Sequence, residues 1–369
     1  MTERHEADLW KILQDNHLVA GEAPNNAKDN SPWYVRTMLG IAGWVGALFL
    51  LGALFSGFAM LFDSTLASAV LGAASCLIAI VIYRAYRSSD FLAQFGFAIS
   101  LAGQGLLIFS MLQGLQFFDG GDGYISQIRI MAIMLALLQL ILFLMIPNYL
   151  HRIWSAVIGI GAVTFLMIQL GLYPFTLVVL LGAAAWLWLQ EFTLAKYASM
   201  LQALGYSLVF VCFAHLVTES RFLGMGHFWQ EAFGVVPLGG RWSYDIAALL
   251  LGVVLVAVVW VLLRRNGRSP TSGLGIAGLS LAIVIAMIGV RAPGVTIALV
   301  FMILGYAHGN RVLTGIGIVT MIVFISQFYY QLNFTLLQKS IVLVVSGMTL
   351  LIARKMMHRL WPKQEQHHA

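Results

Sequence analysis

The sequence predicts an all-α, polytopic integral membrane protein with about twelve transmembrane helices. Hydrophobic residues fill 60% of its 369 positions and charged residues only 10%, whereas an ordinary soluble domain has about 25% charged residues. The apolar residues form runs of about 20, the length that a helix needs to cross the hydrocarbon core. The basic residues lie at the ends of these runs, as membrane topology requires. The net charge of +6 is therefore a topology signal rather than a nucleic-acid-binding surface.

Residues 1–36 are predicted to form a cytoplasmic N-terminal segment without a cleavable signal sequence. Leu9, Ile12 and Leu13 recur at helical spacing, which predicts a short helix over residues 6–18. That helix either packs as a cap on the membrane bundle or docks a partner. A polar linker, residues 20–31, ends at Pro32, and the apolar run that follows acts as an uncleaved anchor.

Twelve apolar runs follow, and each is predicted to form a transmembrane helix. The runs are 37–61, 65–83, 91–113, 128–147, 153–170, 172–190, 197–218, 244–263, 272–290, 294–309, 312–330 and 335–353. Two closely spaced pairs are divided at Gly171 and at Arg291-Ala292-Pro293, where glycine and proline favour turns. The chain thus comprises a first transmembrane half (37–194), a second half (195–354) and a basic cytoplasmic tail (355–369).

The distribution of basic residues predicts that both termini are cytoplasmic. With the N-terminus inside and twelve crossings, only five of the 21 arginines and lysines fall on the outer side. Those five are Arg129, Arg221, Arg241, Arg291 and Lys339. This asymmetry agrees with the positive-inside rule.

Two outer loops are long, and each allows two interpretations. Residues 115–127 contain Asp119 and Asp122 among glycines, which suits either a flexible turn or a cation loop; the spacing lacks the alternating ligands of a calcium loop. Residues 219–243 contain Trp229 and Trp242, as expected of an interfacial helix or of a plain connector.

Local similarities predict a parallel repeat of six helices plus six. Residues 152–177 and 311–336 both begin with Arg and end with Phe-Thr-Leu, at one offset of 159, and parallel repeats occur in membrane proteins. One similarity disagrees, because the Gly-Ile-Ala-Gly of residues 40–43 recurs at residues 275–278, which no six-helix shift explains. The glycines of both tetrapeptides are predicted to let helices pack closely.

The sequence contains no motif of a soluble enzyme: no HExxH, no GxSxG, no P-loop and no metal-ligand spacing. No catalytic residue, metal site or cofactor is therefore predicted, and Cys76 and Cys212, both in apolar runs, are interpreted as packing residues without a disulfide. Polar residues inside the runs are interpreted as groups that form hydrogen bonds between helices. They are Gln104, Gln139, His215 and Gln327. For His215, a role as a proton relay is the alternative. The scarcity of acidic residues in the runs argues against ion-driven transport.

The stretch 328–355 contains the strongest candidate site, because a lysine in or near hydrocarbon is energetically costly. Lys339 lies about 6 Å along the axis from Thr335, at the start of the last run. The lysine either snorkels to the outer interface or points inward at an acidic group, an anionic ligand or a lipid headgroup, with Asp245 or Glu219 as candidate partners. Arg291 either anchors its turn or shares a cationic, aromatic outer pocket suited to an anion. The predicted pocket consists of Lys339, Gln338, Arg291, Tyr329, Tyr330 and Gln331.

Several motifs carry a resemblance to a known family. They are Ala292-Pro293-Gly294, Gly309-Asn310-Arg311 and residues 329–347, together with Pro32-Trp33-Tyr34-Val35-Arg36. The chain resembles an uncharacterised family of bacterial polytopic membrane proteins, labelled as a domain of unknown function and encoded beside a protein with a GDYXXLXY motif. The resemblance implies a bacterial inner-membrane location and a membrane-anchored GDYXXLXY-motif partner. It transfers no functional residue.

Two hypotheses of different classes follow for the function. The first is a membrane subunit of unknown specific activity that binds a partner protein at its outer face. The second is a transporter or lipid-handling membrane protein with a polar pathway near the last helix. A membrane enzyme ranks third because the sequence offers no catalytic constellation.

Overall fold

The computed structural model describes residues 10, 12, 14–16, 33–57, 64–86, 89–115, 124–190, 197–219, 238, 240–290, 292–331, 337, 340, 344, 347, 348 and 351. All regular structure in this part of the chain is helical. Its eleven α-helices are α1 (Trp33–Gly57), α2 (Thr65–Ala85), α3 (Asp90–Gly114), α4 (Tyr124–Met145), α5 (Tyr149–Gln169), α6 (Thr176–Gln190), α7 (Ala198–Glu219), α8 (Arg241–Arg265), α9 (Gly273–Gly289), α10 (Pro293–Ala307) and α11 (Arg311–Gln331). A 3-10 turn, Tyr173–Phe175, precedes α6.

Seven of the described helices, α2 to α8, are long and apolar enough to cross a membrane, α6 being counted with its 3-10 turn. Three shorter apolar helical segments lie in α9, α10 and α11. The protein is therefore a multi-pass α-helical membrane protein. The eleven helices coincide with the first eleven predicted runs, whereas the run 335–353 falls largely outside the described residues. A count of twelve spans and the six-plus-six repeat stay predictions.

Three of the helices begin where a polar side chain supplies an N-terminal cap. Ser64, Ser89 and Asn148 each accept a hydrogen bond from the backbone N–H three residues later, at the starts of α2, α3 and α5. A capping oxygen satisfies one of the four unpaired N–H groups at a helix start. These polar residues between apolar runs thus help to fix the starts of α2, α3 and α5.

Three helices end in the same glycine turn. After α5, Gly171 has a φ of 76°, Gly171 N donates to Ile168 O, and Leu172 N donates to Met167 O. Gly267 after α8 and Gly309 after α10 repeat both the positive φ and the bond pattern. This is the Schellman arrangement, in which glycine adopts the left-handed conformation that side chains disfavour. The turn predicted at Gly171 is present, as is the break before Pro293, where α10 begins.

Close backbone contact joins the first helices. A Cβ at Gly72 of α2 would lie 2.8 Å from the Gly103 carbonyl oxygen of α3, and a Cβ at Gly103 would lie 2.7 Å from the Gly72 oxygen. Gly43 of α1 likewise faces the Phe91 oxygen of α3 at 2.8 Å. The prediction of close packing is thus confirmed for the first Gly-Ile-Ala-Gly. In the second, Gly278 has no described atom within 4 Å of its Cβ position.

The later helices surround a larger apolar core, which buries Trp188 of α6, Cys212 of α7, Leu255 of α8 and Phe301 of α10. Outward-facing positions are apolar as well: α4 exposes Ile130, Ile133, Leu137, Leu140 and Leu144 at helical spacing. Apolar residues on both the inside and the outside are expected of a bundle whose solvent is lipid.

Candidate functional site

The structure describes no side chain of the predicted outer pocket. Tyr329, Tyr330 and Gln331 form the last turn of α11, and only their backbone is described. Arg291, Gln338 and Lys339 lie outside the described residues. Asp245, a candidate partner of the lysine, is exposed near the start of α8. The outer pocket stays a prediction.

The described polar side chains gather instead between α3, α4 and α5, around His151. This histidine is fully buried in the first turn of α5, where Asn148 Oδ1 accepts a hydrogen bond from the His151 N–H at 3.0 Å. Its ring nitrogens lie 2.8 Å from Ser100 Oγ of α3 and 3.2 Å from Ser155 Oγ of α5. Both sides of the imidazole are therefore satisfied within the membrane bundle.

Two glutamines extend this arrangement across the bundle. Gln104 Nε2 donates to Ser100 Oγ at 3.1 Å, and Gln139 Nε2 of α4 donates to Gln104 Oε1 at 2.8 Å. We call the five residues Ser155, His151, Ser100, Gln104 and Gln139 the polar chain. All five are buried and apart from the histidine none titrates, so the chain holds three helices together without a buried carboxylate or ammonium group.

Aromatic rings enclose the histidine. Tyr83 of α2 and Phe97 of α3 each meet the His151 ring edge-on, with centroids 5.8 Å apart. The Tyr83 hydroxyl is oriented away by its own hydrogen bond, since it donates to the Ala93 carbonyl oxygen at 2.8 Å. The T-shaped contacts fix the imidazole plane and so aim its nitrogens at the two serines.

The polar chain ends at Gln139 with an unused acceptor. Gln139 Oε1 is buried and has no described hydrogen-bond partner. An unsatisfied buried acceptor costs about 1–3 kcal/mol, so a ligand that donates to it would recover that energy. Gly159 of α5 makes room for this side chain, because a Cβ there would lie 3.2 Å from Gln139 Cβ.

A cavity of about 630 Å³ lies beside Gln139, between α4, α5, α6 and α7. We call it the lateral groove. Its polar wall residues are Gln139, Ser155 and Thr164, and every other residue that lines it is apolar. The half-exposed residues at its edge are Leu137, Leu140, Leu144, Val163 and Val179. Because these edge residues are apolar and lie within membrane-spanning helices, the groove opens toward lipid.

Other predicted polar residues also join helices. His215 Nε2 of α7 lies 2.5 Å from Thr176 Oγ1 of α6, and the Thr176 hydroxyl donates to Tyr173 O at 2.7 Å. The interpretation of Gln104, Gln139 and His215 as links between helices is confirmed; a relay role for His215 stays a prediction. The side chain of Gln327 is outside the described part.

His151, Ser100 and Ser155 were not identified from the sequence as residues that link helices. The predicted fifth run began at residue 153, which placed His151 in a loop beside a basic residue. In the structure α5 begins at Tyr149, so His151 lies inside the helix and points into the bundle. The Asn148 cap was the signal that could have moved the boundary. Across the described residues, no three His, Cys, Asp or Glu side chains could hold a metal ion.

Fold and site together define a polytopic α-helical membrane protein in which a buried row of hydrogen-bonded polar side chains lies beside a lipid-facing groove. The chain belongs to the family described as a domain of unknown function, DUF4401, which matches residues 32–360. No curated protein and no solved structure matches it. The family membership confirms the resemblance in part, while a bacterial origin and a GDYXXLXY-motif neighbour stay predictions.

Proposed function

We propose that this membrane protein handles a lipid-like molecule, binding in the lateral groove an apolar chain that carries a hydroxyl group. The observation behind the proposal is the unpartnered Oε1 of Gln139, a residue that ends the polar chain and lines a cavity whose other wall residues, apart from Ser155 and Thr164, are apolar. The polar pathway expected near the last helix is thereby proposed to lie among α3, α4 and α5 instead.

The size and lining of the groove limit its occupant. A volume of about 630 Å³ lies within the usual range of about 300–1,000 Å³ for small-molecule sites. No charged side chain lines it, so the bound part of the molecule is neutral. A single hydroxyl on an acyl or isoprenoid chain would donate to Gln139 and leave no polar group unpaired.

Photolabelling tests this proposal. Purified protein is exposed to a diazirine-bearing C16 alcohol and, separately, to its methyl ether, which lacks the donor. A hydrogen bond worth about 1–2 kcal/mol would favour the alcohol about five- to thirtyfold, with labels on α4 and α5. Ala183→Trp, which fills the groove, should abolish labelling, whereas Leu249→Trp on the lipid-facing side of α8 should not. Equal labelling by both probes would contradict the proposal.

We also propose that the outer face binds a partner protein, as expected of a membrane subunit. Leu238 and Trp242, at the outer start of α8, are 64% and 78% exposed, and the family resemblance implies a membrane-anchored GDYXXLXY-motif protein. Cross-linking in native membranes should recover that protein with the wild-type chain and lose it with Trp242→Ala. Trp186→Ala is the matched control, because Trp186 is also exposed but lies near the C-terminal end of α6. Equal recovery of the partner with both variants would exclude the surface around Trp242.

For the topology we propose twelve spans, in a six-plus-six repeat, with both termini in the cytoplasm and insertion in a bacterial inner membrane. The sorting of basic residues toward one side supports this arrangement. A topology reporter fused after residue 363 should be located in the cytoplasm, and one inserted within residues 115–127 should be located outside it. A repeat further requires that helices of residues 37–194 superpose in order on those of residues 195–354.

A further inference from the structure

A second cavity, of about 780 Å³, lies between α8, α10 and α11. Its apolar part is lined by Leu299, Met302 and Ile303 of α10. Its polar part is lined by Arg265 in the last turn of α8, by Asn266 directly after it and by His308. We call it the inner cavity, because the proposed topology, on which this name rests, places Arg264, Arg265 and Arg268 at the cytoplasmic end of α8.

Two of the glycine turns build the mouth of this cavity. The turn at Gly267 ends α8 directly after Arg265, and the turn at Gly309 ends α10 directly after His308. His308 Nδ1 lies 2.8 Å from Leu304 O, so the ring bonds back to its own helix end. Because each turn pairs the terminal carbonyl groups within the backbone, the side chains determine the electrostatics of the mouth.

The charge around the inner cavity is positive and has no acidic counterpart nearby in sequence. Arg264 lies over the Trp260 ring at 4.3 Å, Arg265 lines the cavity, and Arg311 is exposed at the start of α11. The sequence has no aspartate or glutamate between Asp245 and Glu365. Helices α9, α10 and α11 and both turns therefore bring no carboxylate that could neutralise these arginines.

We propose that the inner cavity binds an anionic phospholipid, with an acyl chain against the apolar residues of α10 and the phosphate at Arg265. The guanidinium group offers paired N–H donors that match phosphate oxygens, and basic pockets between helices on the cytoplasmic side suit anionic headgroups. Tyr306, 86% exposed beside the mouth, lies where aromatic side chains meet the headgroup region.

The proposal is independent of the lateral groove, since the two cavities share no lining residue. A lipid fits the inner cavity better than free phosphate does, because the larger part of the cavity lining is apolar. Inorganic phosphate has no acyl chain and would leave that part of the cavity empty.

Lipid retention in nanodiscs tests the site with the full-length protein. The probes are phosphatidylglycerol and phosphatidylcholine with identical acyl chains, counted by native mass spectrometry after release from the discs. We expect the anionic lipid to be retained about fivefold better, since a basic residue near the surface contributes about 1 kcal/mol. Arg265→Gln should abolish the preference. Arg84→Gln, an exposed arginine in the last turn of α2, should preserve it.

Two further measurements separate the remaining explanations. Ile303→Trp, which fills the apolar part, should reduce retention of both lipids, and millimolar inorganic phosphate should displace neither from the wild-type protein. Equal retention of the two lipids, or an undiminished preference in Arg265→Gln, would overturn the proposal. Displacement by inorganic phosphate alone would show an anion site instead of a lipid site.

Discussion

Substituting Gly103 by alanine tests the close contact between α2 and α3. The added Cβ would lie 2.7 Å from the Gly72 carbonyl oxygen, 2.8 Å from Cys76 Sγ and 2.9 Å from Ser75 Cβ. Each distance is shorter than a real Cβ contact, and one of the three atoms belongs to the backbone. Rotation of a side chain cannot relieve that contact, so α2 and α3 must move apart.

The expected loss of stability follows from two opposing terms. Overpacking of a close contact costs about 1–3 kcal/mol, while alanine in place of glycine favours a helix by up to about 1 kcal/mol. Gly105→Ala isolates the steric term, because Gly105 is exposed two residues later in α3 and its Cβ would meet no described atom within 4 Å. The propensity gain cancels between the two variants, which should therefore differ by about 1–3 kcal/mol.

The free energy of unfolding is measured for both variants by titration with sodium dodecyl sulfate in mixed micelles, followed by tryptophan fluorescence. Gly103→Ala should be the less stable variant, and Gly105→Ala should match or exceed the wild type. If the two variants agreed within about 0.5 kcal/mol, the scatter of neutral surface substitutions, α2 and α3 would not approach as closely as described.

Two further predictions use the same titration. Ser100→Ala removes the hydroxyl that bonds both His151 and Gln104 and should lower the free energy of unfolding by about 1–2 kcal/mol. Ser75→Ala should be nearly neutral, because the Ser75 hydroxyl bonds within its own helix, to Leu71 O. Equal losses in the two variants would contradict the polar chain. Asn310→Ala removes the cap of α11 and the hydrogen bond to the Tyr206 hydroxyl and should cost about 1–3 kcal/mol. Tyr206→Phe removes the second bond alone and should cost less; the reverse order would show that the cap contributes nothing.

The helices could be predicted because the bilayer imposes one requirement on every span. A run of about 20 apolar residues is both necessary for a crossing and visible without knowledge of packing, and glycine and proline mark the breaks. The helix starts were predicted less well. We placed the start of the fourth span at residue 128, but α4 begins at Tyr124. Directly after this early turn, Arg129 Nη2 donates to Gln169 O at the end of α5, at 2.8 Å, which ties the start of α4 to α5.

The polar chain could not be predicted, since it depends on which helices are neighbours. Gln104 and Gln139 were recognised as links, but their pairing spans 35 residues and the Ser100–His151 pairing spans 51. Serine on a transmembrane helix gives no signal of its own, because it often bonds to the preceding turn. Only the register of α3 against α4 and α5, set by glycine contacts and side-chain shape, decides which polar groups meet.

The two proposed ligand sites differ in the depth at which they meet the membrane, and that difference makes them separable. No charged side chain lines the lateral groove, so the bound part of its occupant must be neutral. The inner cavity presents an arginine, whose guanidinium group stays hydrated at the interface and selects for charge. Gln139→Leu should therefore lower alcohol labelling and leave the phosphatidylglycerol preference intact, and Arg265→Gln should do the opposite. If either substitution impaired both, the two halves of the bundle would be energetically coupled, and the coupling would have to pass through α6 and α7, the helices that contact both the groove and the later core.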